Sequence, residues 1–463
     1  MSDMNAAKLI SRCWNNLPGR LRVSELAFDV PLDYSNPASA SLRLFARGVQ
    51  RRVPGAAVDD KERQLPWIVF LQGGPGGASP QPQEVGWILL LDQRGTGLST
   101  PITAATLALQ GNAIKQAEYL RLFRADNIVR DCEAVRKVLT AYYPGDRQKW
   151  SVLGQSFGGF CAVTYLSKHP KGLKEVFTTG GLPPLVSKPD PVYERTYDKV
   201  QMRNKAYYSK FPEDEQRVRI ILRYLTENTI TFPDGGVLTP ERFLQLGIHF
   251  GMKGGLDLVH GIILKCTNDL DTFGFFTRPT IALIESDTGA DNGILYAIMH
   301  EAIYCQGEPS NWAAERLLPR FPEFRGAHNP HGIFFTGEMV GNTFIAEMQR
   351  VPVAKKVYLQ VYKHWFESSQ ELGQLKEVAD IVASYNDWPQ LYDIEQLARN
   401  EVPVYSATYV EDMYVHFSYA TETAAVIRNC KPFVTNTMYH NGLRSDSAEL
   451  IAQLFALRDD TID

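Results

Sequence analysis

No apolar run in the chain approaches the roughly 20 residues needed to span a bilayer. The opening residues, Met1-Ser2-Asp3-Met4-Asn5-Ala6-Ala7-Lys8, hold no basic segment followed by an apolar stretch. Neither a secretory leader nor a membrane anchor is therefore expected, and the expected location is the cytoplasm. Cysteine is scarce as well. Cys13, Cys132, Cys161, Cys266, Cys305 and Cys430 are far apart, with no C-x-x-C pair, a spacing that suggests neither a disulfide framework nor a zinc site. His328 and His331 have no carboxylate or cysteine at ligand spacing, so no metal is expected. Charge of one sign is also missing: 48 Lys and Arg stand against 52 Asp and Glu, a net charge of -4. Arg51-Arg52 is the nearest approach to a basic cluster, which argues against nucleic acid or an anionic membrane as the main partner. There is no internal repeat and no low-complexity tract. What remains is a chain of 463 residues, 44% hydrophobic, long enough for a large core and two structural units.

The first 182 residues alternate strand-like and helix-like segments. Leu21 to Leu32 and Leu42 to Val49 read as an antiparallel pair. Pro66 to Leu71 and Trp87 to Leu91 are continuous apolar runs, as expected of strands covered on both faces. Ile128, Val135 and Leu139 recur at helical spacing between Asn127 and Leu139. Trp150 to Leu153 is another short strand, followed by a buried helix over Gly159 to Leu166 and a strand over Val176 to Thr179. This succession predicts an α/β fold with a mostly parallel sheet flanked by helices. From 183 to 395 the chain turns mainly helical and aromatic, and the α/β pattern returns over 396–463 with strands at Val402 to Tyr409 and Pro432 to Thr435. The expected organisation is an α/β core in two parts, 1–182 and 396–463, interrupted by a helical cap over 183–395. An insertion there sits over the strand ends, where open α/β sheets bind ligands.

Four features carry chemistry. Gly154-Gln155-Ser156-Phe157-Gly158 lies between a strand and a helix, the context that makes G-x-S-x-G a nucleophile elbow with Ser156 as nucleophile. Gln72-Gly73-Gly74-Pro75-Gly76-Gly77 follows a strand directly. A glycine run there lets backbone N–H groups face a substrate oxygen, so the Gly73 and Phe157 N–H groups are expected to form an oxyanion hole. Asp412 ends the late strand and can orient an imidazole; adjacent Glu411 is an alternative for that role. His440, between the last strand and the last helix, is the base candidate, and completes the chain order Ser, Asp, His expected of an α/β hydrolase. His416 is expected to begin a helix. A triad of Ser156, His440 and Asp412 acting through an acyl-enzyme requires no cofactor.

Read together, Gln72-Gly-Gly-Pro-Gly76, Asp92-Gln93-Arg94-Gly95-Thr96-Gly97, Gly154-Gln155-Ser156-Phe157-Gly158-Gly159 and His440-Asn441-Gly442-Leu443-Arg444 resemble the prolyl aminopeptidase (proline iminopeptidase) family. The resemblance is to its larger subgroup with a long helical cap. Gln72 departs from it, since many relatives have His there, but that side chain is not the oxyanion donor. The resemblance implies an α/β-hydrolase fold and a serine peptidase that removes an N-terminal proline from short peptides. It also implies cap glutamates that bind the free amine, in accord with the need of a buried ammonium for a carboxylate. His300-Glu301-Ala302-Ile303-Tyr304-Cys305-Gln306 is similar to the family's amine-binding segment, which nominates Glu301, with Glu338 as a second candidate. Tyr304, Phe334 and Phe335 are the candidates for the wall of the ring pocket. Arg94 is expected to pair ionically below the site.

Two other readings stay open on the sequence. The same triad serves an esterase or amidase with a different acyl pocket, because fold and triad do not fix the substrate. The fold also occurs as a binding module that has lost catalysis. Haloalkane dehalogenase or epoxide hydrolase chemistry is disfavoured, because it uses a carboxylate nucleophile where this chain has Ser156.

Overall fold

The computed structural model describes residues 7–36, 38–51, 64, 66–82, 88–288, 293–324, 332–339, 366 and 368–460. In chain order the strands are β1 (Lys8–Leu17), β2 (Leu21–Pro31), β3 (Ser41–Arg51), β4 (Ile68–Leu71), β5 (Ile88–Asp92), β6 (Trp150–Gln155), β7 (Leu173–Thr179), β8 (Ile230–Thr231), β9 (Val237–Leu238), β10 (Val404–Tyr409) and β11 (Cys430–Thr435). Nine of them form one sheet in the order β1-β2-β3-β5-β4-β6-β7-β10-β11. The first three pair antiparallel with one another, and β3 pairs antiparallel with β5. From β5 across to β11 every pairing is parallel.

The apolar runs follow from this layering. In β4, Val69 and Leu71 face the main core while Phe70 faces the opposite layer, and in β5 Leu89 and Leu91 are likewise divided from Leu90. A strand buried on both sides has no polar face, so it reads as an unbroken hydrophobic run. β2 uses both faces too: Leu26, Phe28 and Val30 enter the main core, and Leu21 and Val23 join Phe70 and Leu90 on the other side. β1 has no such pattern. Its ten residues are exposed or half-exposed along the sheet edge, so no alternation marks it in the sequence. Trp87, expected to open the second apolar strand, lies outside the described residues, as do His328 and His331.

The strand order reverses at β4, which has β5 on one side and β6 on the other. In parallel sheets a crevice opens at such a switch, beyond the carboxyl ends of the strands. The register aligns those ends: Leu71 pairs with Gly154, Gln155 with Thr179, Thr179 with Ala407, and Tyr409 with Thr435. The loops after β4, β6, β10 and β11 therefore emerge together.

The long insertion leaves the sheet after β7 and returns at β10. Its residues divide between two cores. Helices Asp190–Lys210, Asp214–Glu227 and Gly255–Phe273 gather Tyr197, Tyr207, Ile221, Phe250, Ile262 and Phe335 into a separate cluster. Leu295, Ile298 and Tyr304, with Leu372, Val378 and Trp388, pack instead into the main core beside the sheet. Part of the insertion is thus a cap and part is a base on which the cap rests. Met413 and Tyr414, just after Asp412, belong to the cap cluster, so the loop carrying the acid bridges the two cores. Among the described residues no helix is long and apolar enough to cross a membrane.

Candidate active site

β6 ends at Gln155, and Ser156 takes φ 55° and ψ -126° before helix Phe157–Lys168 begins. Few side-chain-bearing residues tolerate this region, and it persists only where the surroundings enforce it. They do so here through close approach. A Cβ on Gly158 would lie 1.9 Å from the Leu71 carbonyl oxygen, and one on Gly154 would lie 2.4 Å from that of Gly158. Backbone bonds clamp the turn from both sides, from Ser156 N–H to Thr179 O at 3.0 Å and from Gly159 N–H to Ser156 O at 2.7 Å.

His440 Nε2 lies 2.9 Å from Ser156 Oγ, and its Nδ1 lies 2.8 Å from Asp412 Oδ2. An ionised carboxylate only accepts, so Nδ1 carries the hydrogen and Nε2 offers its lone pair to the serine hydroxyl. Asp412 is buried, and its Oδ1 accepts the N–H groups of Tyr414 at 2.8 Å and Val415 at 2.9 Å. Burial alone would push the His440 imidazole down. The Asp412 charge, the hydrogen bond to it and the charge of Glu338 together carry it above the usual histidine value. Glu411 points elsewhere, to Lys199 Nζ at 2.9 Å. His416 caps helix Phe417–Val426 and bonds Ser418.

The glycine loop after β4 lies directly over the elbow. A Cβ on Gly73 would come within 2.8 Å of Ser156 Cβ and 3.0 Å of the Gln155 carbonyl oxygen. The Phe157 N–H opens its helix, where the first amides have no acceptor within the helix and the backbone dipole favours negative charge. Below the site, Arg94 is buried against Asp131 at 2.6 Å and donates to the Leu122 carbonyl at 2.7 Å.

The inserted base supplies the facing wall. Helix Ile294–Met299 and the turn Glu301–Tyr304 carry Tyr296, His300 and Tyr304 at a spacing of four, which places them on one face. Ring centroids are 4.7 Å apart for Tyr296 and His300, and 6.1 Å for His300 and Tyr304. Tyr296 Oη donates to Glu338 Oε1 at 2.9 Å, and His300 Nε2 lies 3.5 Å from Glu338 Oε2. Burial would raise the Glu338 carboxyl. The imidazoles of His300 and His440 and the Tyr296 hydroxyl outweigh it and hold the group below the usual carboxylate range. Glu338 and His440 therefore sense each other's charge.

The profile of the alpha/beta hydrolase fold matches residues 66–226. Across almost its whole length the chain is similar to two proline iminopeptidases. Proline iminopeptidase aneH of Aspergillus aculeatus is 45% identical, over 99% of this chain and 98% of that protein. The proline iminopeptidase of Aeromonas sobria is 39% identical, over 94% of this chain and 96% of that one. The chain belongs to the proline iminopeptidase family. The α/β-hydrolase fold and the serine hydrolase class expected from the motifs hold with it.

Within this iminopeptidase the residues singled out in the sequence do not all meet. Ser156, His440, Asp412, Gly73 and Phe157 converge as described above. Glu338 and Tyr304 lie near them, Tyr304 close enough for the charges of Glu338 and Asp412 to act on its hydroxyl, which burial chiefly raises. Glu301 is buried under this wall. Its Oε2 accepts the Ala313 N–H at 2.9 Å and its Oε1 the Ala314 N–H at 3.0 Å, and burial pushes its carboxyl up to about 7 despite these donors. Both oxygens are thus engaged in holding helix Ala313–Leu317, whereas the Glu338 side chain is partly exposed. Phe335 and Phe334 require a correction. Phe335 has no exposed surface and is ringed by Tyr207, Phe243 and Phe250 inside the cap. Phe334 lines an outer groove of about 390 Å³ with Lys205, Tyr208 and Ile333. Neither side chain is offered to Ser156, because aromatic composition marks a helical core and a ligand wall alike.

The structure adds residues that the sequence reading missed. Tyr414 packs its ring 4.5 Å from that of His440, and Tyr193 Oη lies 3.0 Å from His300 Nδ1. The recurrence of Tyr296, His300 and Tyr304 every fourth residue was the available signal for the wall.

Proposed function

We propose that this protein is a serine exopeptidase that releases proline from the N-terminus of short peptides. The observation that carries the reading is the juxtaposition of the Ser156-His440-Asp412 chain with an ionised, partly open carboxylate, Glu338. A triad alone serves any acyl group, but a partly exposed, ionised carboxylate beside it favours a substrate with a cation next to its acyl carbon. Membership of the proline iminopeptidase family supports proline as that residue.

In the proposed reaction His440 Nε2 takes the Ser156 proton as Oγ forms a bond to the prolyl carbonyl carbon. The oxyanion so formed accepts from the Gly73 and Phe157 N–H groups; one such donor contributes on the order of 3 kcal/mol to the barrier reduction. The imidazolium, stabilised by Asp412, gives its proton to the leaving amine as the C–N bond breaks. Water then attacks the prolyl-enzyme, passing a proton to the same nitrogen, and proline leaves as Ser156 regains its hydrogen. Glu338 is assigned the substrate ammonium, with Glu301 beneath it as support. Tyr304 is assigned to the pyrrolidine ring. The α/β core is assigned to 1–182 and 396–463 and the insertion, cap and base together, to 183–395, with substrates reaching Ser156 between cap and sheet.

Hydrolysis of L-proline p-nitroanilide, N-acetyl-L-proline p-nitroanilide and p-nitrophenyl acetate tests the reading. The free-amine substrate is expected to be cleaved with the highest kcat/KM of the two anilides by a wide margin. Preference for the acetylated anilide, or turnover of the ester alone, would establish a different acyl specificity.

A further inference from the structure

We infer that His300 is a positioning residue that holds the Glu338 carboxylate in place as amine acceptor, with Tyr193 bracing the imidazole from its other side. The inference rests on the amine-binding role proposed for Glu338.

His300 is buried and lies between two groups of different donor character. On one side its Nε2 edge faces the Glu338 carboxylate at 3.5 Å. On the other its Nδ1 meets Tyr193 Oη at 3.0 Å. A carboxylate can only accept, so a lone pair on Nε2 would oppose it, and the favourable neutral form carries hydrogen on Nε2. That form leaves a lone pair on Nδ1, which a tyrosine hydroxyl can fill by donating. Tyr193, buried on helix Asp190–Lys210, thus braces the tautomer that the Glu338 carboxylate itself selects. Tyr296 Oη supplies the second donor.

The arrangement bears on specificity because Glu338 needs its charge to pair with an ammonium and needs a fixed direction to do so beside Ser156. His300 Nε2 and Tyr296 Oη face the two carboxylate oxygens and fix the direction of Glu338. The groups facing His300 are Tyr193 from the cap helix, Tyr296 and Tyr304 from its own segment, Glu301 next in sequence, and Glu338. His440 lies beyond Glu338. Among these, Glu338 is the one that distinguishes the two neutral tautomers, because a carboxylate only accepts whereas a tyrosine hydroxyl can donate or accept.

The test compares L-proline p-nitroanilide with p-nitrophenyl acetate, which has no amine, for wild type, His300→Leu, His300→Gln and Tyr193→Phe. His300→Leu is expected to raise KM for the anilide by about tenfold or more, the scale of a lost hydrogen bond to a charged group, with a much smaller change on the ester. His300→Gln, which keeps an N–H donor, is expected to recover most of that loss. Tyr193→Phe removes the hydroxyl that braces Nδ1 and is expected to raise KM for the anilide by a smaller factor, again with little change on the ester. Should His300→Leu lose the ester activity too, through misfolding, Tyr193→Phe decides by the same comparison of the two substrates. Equal losses on both substrates in folded His300→Leu or Tyr193→Phe overturn the inference while leaving the aminopeptidase reading intact. A wild-type enzyme that cleaves the ester but not the anilide overturns both.

Discussion

Asp412 holds His440 with one carboxylate oxygen and its own loop with the other: Oδ2 lies 2.8 Å from Nδ1, while Oδ1 accepts two backbone N–H groups. The acid is thereby fixed in place before substrate arrives, and its neighbour Glu411 is committed to Lys199 at 2.9 Å. Asp412→Asn keeps the shape but offers a donor where His440 needs an acceptor, favouring the wrong tautomer. Its kcat is expected to fall by roughly 10⁴-fold, whereas Glu411→Gln should stay near wild type. A steady-state comparison on the proline anilide checks this, and equal losses in the two variants would refute the assignment.

Ser156 is held at φ 55° because the nucleophile must stand clear of the sheet, and that geometry works against stability. Ser156→Gly removes the side chain that makes the conformation costly, so the variant should lose all turnover and all labelling by a fluorophosphonate. Its stability should rise by about 1 kcal/mol, the usual scale of such strain. Thermal unfolding of the two proteins measures the difference. A destabilised Ser156→Gly would mean that the elbow is not strained as its backbone angles imply.

The two glutamates of the wall should separate cleanly. Glu338→Gln is expected to raise KM for the free-amine anilide far more than for p-nitrophenyl acetate, since only the former carries a cation. Glu301→Gln should affect the two substrates alike and should instead alter the pH dependence of stability. A carboxyl raised by burial to about 7 binds its proton more tightly in the fold than in the unfolded chain, where about 4.3 is usual. Its contribution to stability is therefore fully present below the lower value and is lost as pH rises through the higher. Melting curves between those limits should decline more steeply for wild type than for Glu301→Gln, and parallel curves would refute the buried-acid account.

What the sequence made legible, and what it did not, divides along a physical line. Short-range rules place the elbow, the glycine loop and the order of Ser156, Asp412 and His440, because backbone geometry needs particular residues at those points. The paired apolar runs of β4 and β5 are legible because burial on both faces leaves no polar positions. β1 escapes notice because an exposed edge strand has no hydrophobic period. The roles of Glu301, Glu338, Phe334 and Phe335 were not legible either. Each is set by contacts across large separations in sequence, such as Glu301 with Ala313 and Ala314 or Phe335 with Tyr207.

Phe335 gives that lesson a measurable form. A ligand-wall residue would change specificity on truncation, whereas a core residue changes stability. Phe335→Ala is expected to cost about 3–5 kcal/mol of stability, as for other buried phenylalanines. The relative KM values for proline and alanine anilides should stay unchanged in whatever fraction remains folded. Denaturant unfolding with kinetics at low temperature resolves the two effects, and a shift in the proline-to-alanine ratio would return Phe335 to the pocket.

The mutual influence of Glu338 and His440 leads to a pH signature. His440 must be neutral to accept the Ser156 proton, and its value is raised above that of an ordinary histidine in part by the charge of Glu338. Activity is therefore lost as pH falls through a value above the usual 6.5 or so of histidine. When a substrate ammonium pairs with Glu338, it cancels much of that field at His440, so the imidazole loses its proton more readily in the complex than in the free enzyme. The acid limb of kcat/KM reports the free enzyme and that of kcat the complex. For the proline anilide the kcat limb should accordingly lie at lower pH than the kcat/KM limb. For p-nitrophenyl acetate, which brings no cation, the two limbs should coincide. In Glu338→Gln both limbs should move to lower pH and the separation on the anilide should vanish. Coincident limbs for the anilide in the wild-type enzyme would show that its amine does not bind beside Glu338.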